Sequence, residues 1–213
     1  PRGAVAAWAI VALLALATAA AAIDRQQRVP GEGSAEAGFA RDMATHHAQA
    51  VAMGELIRAR TANPAIRITA VDIVLTQQAQ MGRMHGWLDA WGLPVSGPEP
   101  AMAWMGMPTG GLMPGMASRA ELNELAGLSG VRADARFLQL MIPHHQAGVE
   151  MAQAALDRTR RPEVRRLAQA IVAAQQREIA ALRDLLAAIP GAAEPPASGN
   201  HSAGIGHSLK GDG

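Results

Sequence analysis

The chain has 213 residues, with 19 Lys+Arg against 18 Asp+Glu for a formal charge of +1, and carries 11 Met, 7 His and no Cys. Near-neutrality removes the electrostatic footprint needed to wrap nucleic acid, and the lack of cysteine excludes disulfides, thiolate nucleophiles and cysteine zinc sites, leaving soft-metal chemistry to Met and His. With two Phe and no Tyr among abundant Ala and Leu, the composition favours an all-α fold of single-domain size.

Residues 4–23 form a run of twenty largely apolar positions, and a helix of that length spans about 30 Å, a bilayer core. The same stretch ends in small residues, Ala17-Thr18-Ala19 and Ala19-Ala20-Ala21, which suit a signal-peptidase site. Residues 1–24 are therefore expected to be a transmembrane anchor or a signal peptide, with the anchor favoured by the length of the run, and residues 25–34 a linker. Arg2 precedes the run while Arg25 and Arg28 follow it, so charge does not set the threading of an anchor; the rest of the chain is expected outside the cytoplasm, with a membrane contact if the anchor is retained.

Residues 35–190 read as one antiparallel four-helix bundle made from two copies of a helical hairpin. Aligning the chain with itself at an offset of 98 residues pairs positions 36–81 with 134–179, with sixteen identities in forty-six pairs. The pairs include Phe39/Phe137, Met43/Met141, His46/His144, His47/His145, Met53/Met151, Pro64/Pro162 and Gln77-Gln78/Gln175-Gln176. The first hairpin, 35–92, has helices from about Glu36 to Arg60 and from Asn63-Pro64 to about Trp91, where Gly92 and Pro94 stop it. A Met-rich connection, 93–130, contains a capping-box signal at Ser118 and Glu121 for one short helix. The second hairpin, 131–190, is predicted from about Asp134 to Thr159 and from Pro162 to Ile189, with Pro143 inside its first helix, and 191–213 is a polar tail.

Helical spacing puts Met43, His46 and His47 on one face, and Met141, His144 and His145 repeat the arrangement. Met53 and Met151 lie about two turns further along each stripe. Thioether and imidazole are neutral donors, so an apolar interior holding only these suits a monovalent soft ion, Cu(I), while imidazole also accepts Cu(II). A di-iron bundle would need Glu-x-x-His motifs, and Met43 and Met141 occupy the carboxylate positions of that motif. Gln77 and Gln175 on the following helices are candidates to orient the imidazole rings by hydrogen bonds to their second nitrogens. A secondary thioether set comprises Met81, Met84 with His85, Met102, Met105, Met107, Met113 and Met116; it could capture Cu(I) from a flexible loop or simply pack against Trp87, Trp91 and Trp104.

The repeated Phe-x-x-x-Met-x-x-His-His element, the Gln-Gln pair on the next helix and the MAWMGMP linker resemble the bacterial domain-of-unknown-function family numbered 305. That resemblance implies a ferritin-like fold and an exported copper-binding protein whose ligands map onto Met43, His46, His47, Met53, Met141, His144, His145 and Met151. No Ser/His/Asp set or phosphate-binding Gly loop points to an enzyme. The expected function is a copper chaperone, buffer or resistance protein, with copper-handling proteins as partners. The alternatives are a metal-free structural or interaction bundle, in which the His pairs satisfy one another, and a redox bundle with a di-metal or haem centre.

Overall fold

The computed structural model describes Trp8, residues 10–18 and residues 29–193. Trp8 and residues 10–18 are helical and solvent-exposed, and among the described residues no helix is long and apolar enough to cross a membrane. The remainder of the expected 4–23 anchor or signal segment, and the tail beyond residue 193 with His201 and His207, lie outside the described residues.

The described chain is all-helical, apart from one isolated bridge between Ala101 and Thr109. Helix α1 (Ala35–Arg58) starts at Ser34, whose hydroxyl accepts from the Ala37 N–H. Helix α2 (Pro64–Ala90) starts at Asn63, whose side chain accepts from the amides of Ala65 and Ile66, with Pro64 in the first turn. A 3-10 turn (Ala103–Met105) and helix α3 (Arg119–Gly127) lie in the connection, and α3 opens with the predicted reciprocal capping box between Ser118 and Glu121. Helices α4 (Gly130–Arg158) and α5 (Pro162–Ala187) form the second hairpin. Helix α4 begins four residues ahead of the predicted start and continues through Pro143. The early start has no side-chain cap; instead Gly130, at φ +57°, donates its amide to the Arg60 carbonyl at the end of the first helix.

The two hairpin turns are copies of each other down to individual bonds. Thr61 Oγ1 accepts from the Asn63 amide, and Thr159 Oγ1 from the Arg161 amide. Arg67 reaches back to the carbonyls of Arg58 and Thr61, and Arg165 to those of Leu156 and Thr159. Each guanidinium thus satisfies carbonyls left open at the end of the preceding helix.

The hairpins dock mainly through α1 against α4, while α2 and α5 barely touch. Two apolar clusters result. Phe39, Met43, Met84, Leu88, Met151, Val164 and Ile171 share one cluster. Their counterparts at the 98-residue offset, Phe137, Met141, Leu182, Leu186, Met53, Ile66 and Ile73, share the other. Every one of these pairs is split between the clusters, as required if an internal twofold axis passes between them through the crossing of α1 and α4.

The connection straps across α1 and α4. Asp42 accepts from the Met102 amide at 2.7 Å and from the Trp104 indole at 2.8 Å, and burial raises its pKa despite both bonds and the neighbouring Arg41. Gln49 donates to the Ala117 carbonyl at 2.9 Å and accepts from its amide at 2.6 Å. Between these clasps Gly115, at φ +73°, lies so close to α4 that a Cβ would stand 2.5 Å from the Pro143 oxygen and 2.7 Å from the Ala147 methyl, which only glycine accommodates. Arg136 holds α3 to α4 through Glu121 and Glu124.

Replacing Asp42 with Ala leaves two strap donors without their acceptor and is expected to cost about 1–3 kcal/mol. Urea unfolding should report that loss, and limited proteolysis should show faster cleavage within residues 93–118. An equal cleavage rate in D42A would show that the strap is held elsewhere.

Candidate metal centre

The four histidines of the duplicated doublets meet where α1 crosses α4. All four are fully buried, and the rings of His46 and His144, the equivalent members of the two hairpins, lie with centroids 3.8 Å apart and planes 32° apart. His144 and His145 rings are 6.3 Å apart. This polar layer separates the two apolar clusters, and Met43 and Met141 each stand one turn before a doublet, on opposite sides of it.

Three of the rings are oriented from outside. His46 donates Nε2–H to the Pro114 carbonyl of the strap (3.2 Å), His47 to Gln80 Oε1 (2.7 Å), and His145 to Glu178 Oε2 (2.8 Å). A neutral imidazole donating through Nε2 carries its lone pair on Nδ1. The Nδ1 atoms of His46, His47 and His145 have no hydrogen-bond partner, and neither nitrogen of His144 has one. An imidazole fixed at one nitrogen by an acceptor and unpartnered at the other has the chemistry to ligate a metal.

The acceptors differ from those expected. Gln77 and Gln175 are buried, but their amides bond to no ring. The acceptors that fix the rings are Gln80 and Glu178, one turn further along α2 and α5. Gln175 instead packs on α4 at Gly148, where a Cβ would collide with its amide. The 98-residue offset pairs Gln80 with Glu178, so the signal was available in the sequence, although the two residues are not identical.

The methionines are distributed unevenly. Met43, Met84, Met102, Met113 and Met151 are buried in one cluster, with Met81, Met105 and Met116 packed against it, so eight of the eleven lie at the end the strap covers. Met53 and Met141 are in the other cluster, and Met107 is exposed. All loop methionines but Met107 therefore pack in or against the core, and His85 is half-buried at the edge of α2. Among the described residues no three His, Asp or Glu side chains converge as a metal cage.

The chain matches the family model described as "Domain of unknown function (DUF305)" over residues 36–186. It belongs to the DUF305 family. A candidate secreted DUF305 protein from Streptomyces coelicolor is similar at 46% identity and a TM-score of 0.71, covering 74% of this chain and 94% of its own. A DUF305 fragment from Deinococcus radiodurans matches at 39% identity and a TM-score of 0.63, covering 74% of this chain and 99% of the fragment. CopM in its Cu(II)-bound form matches at 33% identity and a TM-score of 0.58, covering 70% of this chain and 93% of CopM. CopM is also known in Cu(I)-bound, silver-bound and apo forms. No curated protein is similar to the chain.

Burial keeps His46, His47 and His144 uncharged. Desolvation lowers the pKa of His46 from 6.5 to about 4, against the bond to Pro114. It lowers that of His47 to about 3, with charge on His46 adding to the effect, and drives His144 well below its ordinary value. The unfolded chain takes up protons on these rings near pH 6.5 while the native protein refuses them, so their contribution to stability is complete above that pH. It is lost as pH falls towards the native values of about 4 and about 3. The melting temperature of the metal-free protein should therefore fall by on the order of 5 °C or more between about pH 7 and about pH 4.5. His47→Gln should flatten part of that slope. A flat profile would show that the rings are hydrated.

Proposed function

We propose that this DUF305 protein is a copper-binding protein that works outside the cytoplasm as a buffer or chaperone, taking Cu(I) at the His layer with thioether help from Met43 and Met141. The observation that carries the reading is the set of three buried imidazoles whose Nε2 atoms are tied to acceptors and whose Nδ1 atoms have no protein partner. An unpaired buried acceptor costs about 1–3 kcal/mol, which a bound cation would recover. The donors fit a soft monovalent ion: His and Met bring no charge, and Glu178 brings one carboxylate next to His145. Cu(II), which imidazole also accepts, is the second candidate ion. Likeness to CopM, crystallised with Cu(I), Cu(II) and silver, supports this choice of cargo. Export is supported by the apolar run at residues 4–23, which would act as a membrane anchor or signal peptide, and by the Streptomyces relative. The reading includes no catalytic step.

A metal-free structural bundle is the second reading, favoured by the lack, among the described residues, of three converging His, Asp or Glu side chains. Anaerobic titration of the protein with Cu(I) against a chromophoric chelator separates the two. Copper binding predicts a Kd well below about 1 μM and a melting temperature that rises with Cu(I) concentration. Replacing all four layer histidines with Gln should weaken binding by about a hundredfold, and the volume-conserving pair Met43→Leu with Met141→Leu should weaken it while preserving the fold. Micromolar or weaker binding that none of these changes alters would establish the structural reading.

A further inference from the structure

The histidine layer is buried on every side, but its two covers differ. Over α1 and α4 the strap closes it: Pro114 O accepts from His46, Gln49 clasps Ala117 through two bonds, and Gly115 touches the backbone of α4 at Pro143 and His144. On the far side α2 and α5 scarcely pack, and between them runs a groove of about 260 Å³ whose walls include Asp72 and Ile73 of α2 and Arg177, Glu178 and Ala181 of α5. Glu178 belongs to both places. Its side chain is 23% exposed in the groove, yet its carboxylate bonds at 2.8 Å to His145, whose side chain is 0% exposed. Among the described residues it is the one carboxylate hydrogen-bonded to the layer.

The other half of the same helix interface lacks these features. The internal twofold sets neutral Gln80 against Glu178, and Gln80 is nearly buried. The positions matching Asp72, Arg177 and Ala181 are Ala170, Ala79 and Arg83, so that half offers no carboxylate and adds a cation. A cation approaching the protein is therefore favoured electrostatically on the Glu178 side, where Asp72 and Glu178 outweigh the exposed Arg177, and disfavoured on its counterpart.

From this asymmetry we infer that the α2–α5 groove is the port through which a soft monovalent cation reaches and leaves the His layer, with Glu178 as the first ligand, handing the ion inward to His145. The inference rests on the copper reading of the same layer. It assigns a transfer role to a residue outside the His and Met donor set, and it makes the two chemically similar half-sites kinetically unequal.

The test is anaerobic stopped-flow transfer of Cu(I) between a chromophoric chelator and the full chain, with equilibrium affinity measured on the same samples. Glu178→Gln keeps a hydrogen-bond acceptor for His145 but removes the charge. Ala181→Trp leaves Glu178 and His145 in place but fills the mouth of the groove. Both variants should load Cu(I) about tenfold or more slowly, with affinity little changed in Ala181→Trp and an unaltered helical circular dichroism spectrum in both. Unchanged rates in both overturn the port. Slowing in Ala181→Trp alone overturns the assigned role of the carboxylate, and weakened affinity at an unchanged loading rate shows that Glu178 only holds His145 in position. Failure of the unaltered protein to take up Cu(I) at equilibrium is instead the failure of the proposed function, and this inference falls with it.

Discussion

Four buried imidazoles in the middle of a helical interior impose the main constraint on this molecule. Burial keeps His46, His47 and His144 neutral by moving their pKa values well below the ordinary histidine range. Neutrality leaves each of these three rings one donor and one acceptor. Pro114, Gln80 and Glu178 each accept from one ring of the layer, and Nδ1 of His46, His47 and His145 meets no protein partner. The layer thus combines fixed ring orientation with unmet hydrogen-bonding capacity.

The rest of the architecture follows from keeping that layer centred and buried. Placing it where α1 crosses α4 divides the apolar core into two equivalent clusters, each built from one end of both hairpins. The strap then covers the α1–α4 face, and its clasps are long-range: Asp42 and Gln49 bond to groups 60 and 68 residues away. Here the twofold relation breaks, because a single connection can cover one end better than the other. Eight methionines gather at the covered end, where a flexible side chain fills irregular space between helix and loop.

Most of the fold was legible in the sequence because its determinants are local. Asn63-Pro64 and the Ser118–Glu121 capping box set helix starts that the structure reproduces, and Arg60/Arg158, Thr61/Thr159, Pro64/Pro162 and Arg67/Arg165 are identical pairs because they build the same turn twice. The meeting of the two His doublets also followed from helical spacing plus duplication. The parts that escaped depend on how elements pack. The ring acceptors fall one turn beyond Gln77 and Gln175 because the height at which α2 meets α1 is fixed by side-chain packing, which periodicity does not reveal. Gly130 starts α4 early through a bond to Arg60, and Asp42 and Gln49 look like ordinary polar positions on an amphipathic helix until the strap lies over them.

The contact between His46 and His144 has a further meaning because each is the copy of the other. A residue that meets its own counterpart across an axis is the mark of an isologous interface, the kind formed by two identical subunits. One hairpin alone would expose half of both apolar clusters and half of the imidazole layer, so it would be complete only as a homodimer. In the present chain the two halves are joined in one polypeptide, which lets each carry its own residues. Glutamine stands at position 80 and glutamate at 178, a difference that identical subunits cannot have.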